Sequence, residues 1–253
     1  MRFFHTAPHF GMLLVLSLAL VAGCASYRTP AGGADLAELA SGKIKKELQR
    51  KPAAPFPATL SIVRLQGPHY DYHEHAYGRG RYTVITTRNR VTEAHLKQIR
   101  QWPQVRGLAP INRMILPHKL KSIKQLRLAS AKVHADLLLA YTLDTEFRID
   151  EHDIPPLDVI TLGFLPNEEA KVTCTAAAAI YDVRTGYVYG LGEATASTSQ
   201  LASAWDQQEA VEDARAEAER EAVNKLVPAM EKTWQRIVKE YANRSTEADD
   251  PGD

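Results

Sequence analysis

Val172-Thr-Cys-Thr-Ala-Ala-Ala-Ala-Ile-Tyr181, Asp182-Val-Arg-Thr-Gly186 and Tyr187-Val-Tyr-Gly-Leu-Gly-Glu-Ala-Thr-Ala-Ser197 follow one another without a break. Two β-rich arms flank an Asp-x-x-x-Gly turn, so the stretch is predicted to be a β-hairpin in which Gly186 takes the positive φ of a bulged turn. Just upstream, Ala135-Asp-Leu-Leu-Leu-Ala-Tyr-Thr-Leu-Asp-Thr-Glu-Phe147 opens as a continuous apolar run. Such a run marks a strand buried on both faces and belongs at the centre of a sheet. Downstream, between about Ala204 and Tyr241, Val211, Ala214, Ala218, Ala222, Leu226, Met230, Trp234, Ile237 and Tyr241 recur every three or four residues. That stripe predicts a long amphipathic helix, which Pro228 should kink or divide.

Further towards the N-terminus, Ala58 to Gln66 alternates as a first strand and Tyr82-Thr-Val-Ile-Thr86 is a second β-rich run. Thr92 is placed to cap a helix carrying Leu96, Ile99 and Trp102, stopped by Pro103. Val105 to Leu116 reads as a short strand, and Ser122 to Val133 as a helix through Ile123, Leu126, Ala129 and Val133. The order is strand, strand, helix, strand, helix, central strand, hairpin, long helix. The fold class expected is α+β, a mixed or antiparallel sheet with helices packed on one face and the long helix closing the domain.

The first two dozen residues are of another kind. Arg2, His5 and His9 precede the apolar run Met12 to Ala22. At about a dozen residues the run suits the core of an export signal and is too short for a bilayer span, which needs about 20. Cys24 directly follows small residues, and the segment Val21-Ala-Gly-Cys24 resembles the lipobox of bacterial lipoproteins. In that family the signal is cut before the cysteine, whose thiol carries a diacylglyceryl group. The resemblance implies Cys24 as lipid attachment site and a cleaved signal over residues 1–23. Residue 25 is alanine, not the aspartate that retains enterobacterial lipoproteins in the inner membrane. This implies the outer membrane, facing the periplasm.

The remaining organisation is a lipidated tether with a short helix and the Pro-rich joint Lys51 to Pro57 (residues 24–57), one α+β domain (58–242) and an acidic tail (243–253) expected to be disordered. In the tether, Leu36, Leu39, Ile44 and Leu48 fall on one helical face beside Lys43, Lys45 and Lys46. The helix either lies on a membrane surface or packs on the domain. With 45% hydrophobic residues, 24% charged and net charge +1, the composition is that of an ordinary globular protein. Once Cys24 carries lipid, Cys174 has no intrachain partner, and it reads as a small buried apolar residue.

The strand after a Pro-rich joint, the helix running into Ala135-Asp136-Leu-Leu-Leu139, the hairpin Ala179-Ile-Tyr-Asp-Val-Arg-Thr-Gly186 and the closing helix together resemble a group of bacterial outer-membrane lipoproteins. The layout is similar to the periplasmic α+β module of the curli-secretion lipoprotein and of the lipoprotein activators of peptidoglycan synthases, and to the uncharacterised rhombotarget-type lipoproteins. The chain departs from that pattern between Leu65 and Tyr82, where no helix follows the first strand. The resemblance implies a non-enzymatic envelope protein that works by binding another envelope component.

The richest cluster of chemically competent side chains is His69-Tyr-Asp-Tyr-His-Glu-His75. If extended, it puts His69, Asp71, His73 and His75 on one face, a donor set suited to zinc, copper or nickel. A solvated loop is the simpler reading, because same-face neighbours on one strand rarely close a cage unaided. Charge is segregated along the chain: thirteen Lys and Arg against Glu93 between residues 79 and 132, then nine carboxylates against Arg148 between 136 and 169. The basic block is either a docking surface for phosphates or an acidic partner, or is neutralised by the acidic block in the fold. Nucleic acid is disfavoured for an exported protein lacking an aromatic-interleaved motif. Glu209, Glu212, Asp213, Glu217 and Glu221 read as a solvated helix face, and Gly190-Leu-Gly192 as a turn. No nucleophile elbow, zinc-protease helix or paired-cysteine motif occurs, so neither catalytic residues nor a cofactor are expected, and a hydrolase assembled from distant residues is the outside alternative. Cells fed radiolabelled palmitate should label the wild-type chain and not Cys24→Ala; equal labelling of both would remove the anchor.

Overall fold

The computed structural model describes residues 44–67, 76–77, 82–85, 90–117, 120–151, 168–202 and 207–242. The expected signal, Cys24, the His69 to His75 cluster and the tail lie outside these residues. The elements are α1 (Ile44–Leu48), β1 (Ala58–Gln66), β2 (Ala76–Tyr77), β3 (Thr83–Ile85), α2 (Glu93–Arg100), β4 (Val105–Pro110), a 3₁₀ turn (Arg113–Ile115), α3 (Ile123–Lys132), β5 (Leu137–Glu151), β6 (Glu168–Asp182), β7 (Val188–Ala202) and α4 (Gln207–Ile237), which ends in a π turn, Val238–Ala242. The expected α+β order is present, with β2 added and the segment after Pro110 turning where a longer strand was predicted.

The sheet is mixed, in the order β2-β3-β1-β5-β6-β7, with β4 beside β1. β1 runs parallel to β4 and β5 and antiparallel to β3, while β5, β6 and β7 form an antiparallel ribbon. Each ribbon strand has 15 residues, about 50 Å at ~3.3 Å per residue. β1 accompanies β5 only over Leu137 to Ala140. Where it leaves, the buried side chain of Gln66 takes over as a strand would: its Nε2 donates to Leu143 O at 3.0 Å, and its Oε1 accepts from Leu143 N at 3.1 Å. A buried amide does here what the missing backbone would do.

Helices cover both faces at the start of the ribbon, not one as the sequence suggested. Leu137, Leu139, Tyr141 and Leu143 join Ala176, Ala178 and Ile180 in a core with α2 and α4. Leu138, Ala140, Ala179 and Tyr181 face the other way, onto Ile123, Leu126 and Ala129 of α3. The continuous apolar run required a layer on each side, and α3 supplies the second. Within the first core, Trp102 and Trp234 stack at 6.1 Å, and Trp234 Nε1 donates to Pro103 O at 2.6 Å.

At 31 residues, α4 is about 46 Å long and matches the ribbon in length. It lies close because the facing residues are small: Ala214, Ala218 and Ala222 on the helix against Ala176, Ala178, Gly190, Gly192, Ala194 and Ala196 on the strands. A Cβ on Gly190 would sit 2.6 Å from Thr233 Cγ2. Gly190 and Gly192 are therefore mid-strand sites of close approach, not the turn expected from sequence. The helix passes through Pro228 undivided. Both Pro228 and Asn224 are exposed, so the carbonyl that proline leaves without its amide faces solvent. Side chains of α4 also reach the outer edge of β7, where Lys225 Nζ donates to Thr195 O and Thr233 Oγ1 to Leu191 O.

The Pro-rich segment is a strap more than a joint. Ala53 N donates to Asp182 Oδ2 at 2.7 Å, Ala54 N to Tyr189 OH at 3.1 Å, and Phe56 packs on Tyr189 and Trp234. Gly190→Ala should lower stability by about 1–3 kcal/mol through overpacking, read as a lower urea midpoint. Adding Thr233→Ser, which deletes the clashing methyl, should recover part of it.

Candidate functional site

Ionisable side chains gather at two places in the described residues. The first surrounds Glu219, fully buried on α4. Its Oε2 lies 2.7 Å from Arg90 Nε and 3.6 Å from Arg64 NH2, and its Oε1 lies 3.1 Å from Arg215 NH1. Arg215 also holds Glu212 at 2.7 Å. Burial is the largest single influence and pushes the Glu219 carboxyl up; Arg64, Arg215 and Arg90 together outweigh it and hold the group below its ordinary value. The cluster ties β1 and the segment before α2 to the long helix.

The second gathers at the β6–β7 turn. Asp182 is buried, and its Oδ1 accepts from Arg184 N and Thr185 N at 2.8 and 2.9 Å, while Oδ2 accepts from Ala53 N and from Tyr189 OH. Gly186 has φ +76°, as predicted, and a side chain there would collide with the guanidinium groups of Arg50 and Arg127. Those groups cap the turn: Arg50 NH1 donates to Thr185 O, Arg127 Nε to Val183 O and Arg127 NH2 to Arg184 O. Burial, then the neighbouring charge of Arg50, lowers the Arg127 pKa.

The fate of the basic block follows. Among its described members, Arg90 is spent on Glu219 and Arg127 on turn carbonyls, whereas exposed Arg106 donates to Pro57 O and keeps its charge at the surface. These partners belong to the long helix and the main chain. Glu219 escaped the sequence reading, although its place beside Ala218 and Val223 within the apolar stripe was a signal. The acidic helix face is solvated at Asp213 and half-buried at Glu212, which pairs with Arg215.

Cys174 is fully buried, and burial followed by the charge of Glu219 pushes its thiol up to about 12. A thiol so placed is a packing group, as the sequence suggested. His95 completes the cap of α2 and contacts Asn224 Oδ1 at 2.9 Å. Cys24 and the proposed ligands His69, Asp71, His73 and His75 fall outside the described residues; among the described ones no group of three or more His, Cys, Asp or Glu is arranged to hold a metal. A void of about 20 Å³ lined by Ile62, Ile99, Trp102, Leu139 and Met230 is apolar and of the order of one water.

What remains open is a sheet face. Beyond α3, the rows Asp144–Thr175–Thr195 and Glu146–Thr173–Ser197 cross the ribbon on the side away from α4. Asp144, Glu146, Thr195 and Ser197 are exposed, and hydroxyl pairs link the strands, Thr173 to Ser197 at 2.8 Å and Thr175 to Thr195 at 3.0 Å. Glu193 and Ser199 extend the face along β7. It is hydroxyl-rich and carries charges of both signs, since exposed Lys171 lies on it opposite Ser199, beyond Asp144, Glu146 and Glu193.

No protein-family model matches the chain, and no curated protein does. Among solved structures, a candidate lipoprotein of Caulobacter crescentus CB15 is 13% identical with a TM-score of 0.27, covering 44% of this chain and 79% of its own. A Xanthomonas campestris protein of the family DUF330 is 14% identical with a TM-score of 0.35, covering 75% of this chain and 93% of its own. At these scores neither carries an argument about this chain.

Glu219→Gln would leave three guanidinium groups around a neutral amide and should cost about 3–5 kcal/mol at pH 7. Because the folded-state pKa is depressed, this stabilisation is present above the unfolded value of about 4.3 and is lost as pH falls through the folded value. Urea denaturation of both proteins between neutral and acid pH should show the difference shrinking below about pH 4.

Proposed function

We propose that this is a lipid-anchored, periplasm-facing envelope protein of the outer membrane, held through Cys24, whose α+β domain binds another envelope component and catalyses no reaction. The observation that carries the reading is the open polar face of the ribbon. The ionisable clusters in the described interior are consumed in holding strands, strap and helix together, whereas the hydroxyl and carboxylate rows point outward on a rigid sheet. A face with hydroxyls at its centre, Asp144, Glu146 and Glu193 around them and Lys171 beyond suits a protein partner rich in hydrogen-bond donors, with positive charge opposite the three carboxylates. The lipid anchor supports it by confining the domain to the bilayer where such partners reside; two or more acyl chains hold stably, whereas one holds marginally. The reading invokes no cofactor and no nucleic acid.

A photo-crosslinking residue placed at Ser197 in intact cells should capture a discrete partner, while the same residue at Lys97, exposed on α2, should not. Thr195→Arg with Ser197→Arg should abolish the adduct while lowering the thermal midpoint only slightly, because each substitution loses one exposed hydroxyl pair. Equal capture from both positions, or an adduct that survives the double substitution, would overturn the reading.

A further inference from the structure

We propose that the turn end of the domain lies flat on the anionic surface of the bilayer, so that the open ribbon face is presented at a fixed height and direction; this rests on the anchor proposed above. The strap delivers the N-terminal chain to one end of the molecule. Arg50 donates to Thr185 O, and Arg184 NH1 donates to Ala53 O at 3.2 Å, so the segment leading to Cys24 enters beside the β6–β7 turn. The opposite end of the ribbon is one strand length away, about 50 Å.

Exposed positive charge collects at the end where the anchor enters. Lys51 lies on the strap, Arg100 at the end of α2, Arg106 at the start of β4, Lys132 at the end of α3, Arg184 on the turn and Lys239 at the end of the long helix; all are exposed. Contacts place them together: Arg106 donates to Pro57 O, Arg184 lies 3.9 Å from Asp136 at the start of β5, and Tyr241 OH meets Tyr187 OH at 2.9 Å. The carboxylates here are largely spent: Asp182 is buried, Glu47 pairs with Arg50 and Asp136 caps Thr59 N, while Glu240 is exposed. The C-terminal residues that follow add Glu247, Asp249, Asp250 and Asp253 against Arg244, which still leaves the cations in excess. Asp144, Glu146 and Glu193 lie further along the ribbon. An anionic surface therefore attracts the turn end, although the net charge of the whole chain is only +1.

A second observation points to lipid and not merely to an acidic partner. On α1, directly before the strap, Ile44 and Leu48 are 79% and 82% exposed, one turn apart beside lysines. Apolar side chains flanked by cations suit the headgroup boundary of a bilayer.

The test uses the full-length lipidated protein on vesicles of phosphatidylethanolamine and phosphatidylglycerol carrying a headgroup-linked quencher, with a fluorophore on Ala131→Cys beside Lys132 or on Ser197→Cys. The Ala131 label should be quenched about two-fold or more above the Ser197 label at low salt, and the contrast should fall in ~0.5 M salt, on phosphatidylcholine vesicles, and in a Lys51→Gln, Lys132→Gln, Arg184→Gln variant. The salt and lipid arms need no variant to fold. Protein that floats with the vesicles but quenches equally at both positions, or whose contrast ignores salt and lipid charge, overturns the orientation and leaves the anchor standing. Protein that does not float overturns the anchor and the orientation together.

Discussion

Asp182 is where the chain is tied. A buried carboxylate only accepts hydrogen bonds, so it must be met by donors, and it finds them in three separate parts of the chain: the turn amides of Arg184 and Thr185, the strap amide of Ala53 and the phenol of Tyr189. The same knot fixes the hairpin geometry, the path by which the N-terminal chain arrives and the aromatic cluster beneath. Register follows from it. A slip of one residue between β6 and β7 would carry the alanine and glycine rows out to solvent and the threonine rows under α4.

Much of this was legible in the sequence, for identifiable reasons. Asp182 and Gly186 are turn residues at fixed offsets, and the apolar run after Asp136 had to be an interior strand, because no one-faced strand tolerates Leu137 to Ala140 in succession. The layer that buries its second face was harder to assign. Helices α2 and α3 both carry apolar stripes, and nothing local says that they lie on opposite sides. Gly190 and Gly192 misled because glycine punctuates turns more often than it marks a helix lying close on a strand; the distinction depends on Thr233 and Met230, some forty residues away. Glu219 was hidden among surface-like acidic neighbours, and its partners Arg64 and Arg90 are more than a hundred residues distant.

Charge tells a similar story. Along the chain it is segregated into a basic block and an acidic block, which invites the idea that one neutralises the other. In space the described basic side chains divide otherwise. Arg90 and Arg127 are used internally, whereas Arg100, Arg106 and Lys132 reach solvent at the end where the strap enters. The polar rows of the ribbon, with their carboxylates, run away from that end. The entry of the strap, the exposed cations and the polar rows thus follow one another along a single axis.

Lys225 and Gln66 bear on how such a protein behaves in company. A long bare strand margin would let neighbouring molecules zip together laterally. The lysine on Thr195 O places a charge on the outer margin of β7, and the glutamine seals β5 where β1 departs. These two side chains guard the sheet against pairing with a further strand at the places where its backbone would otherwise be bare.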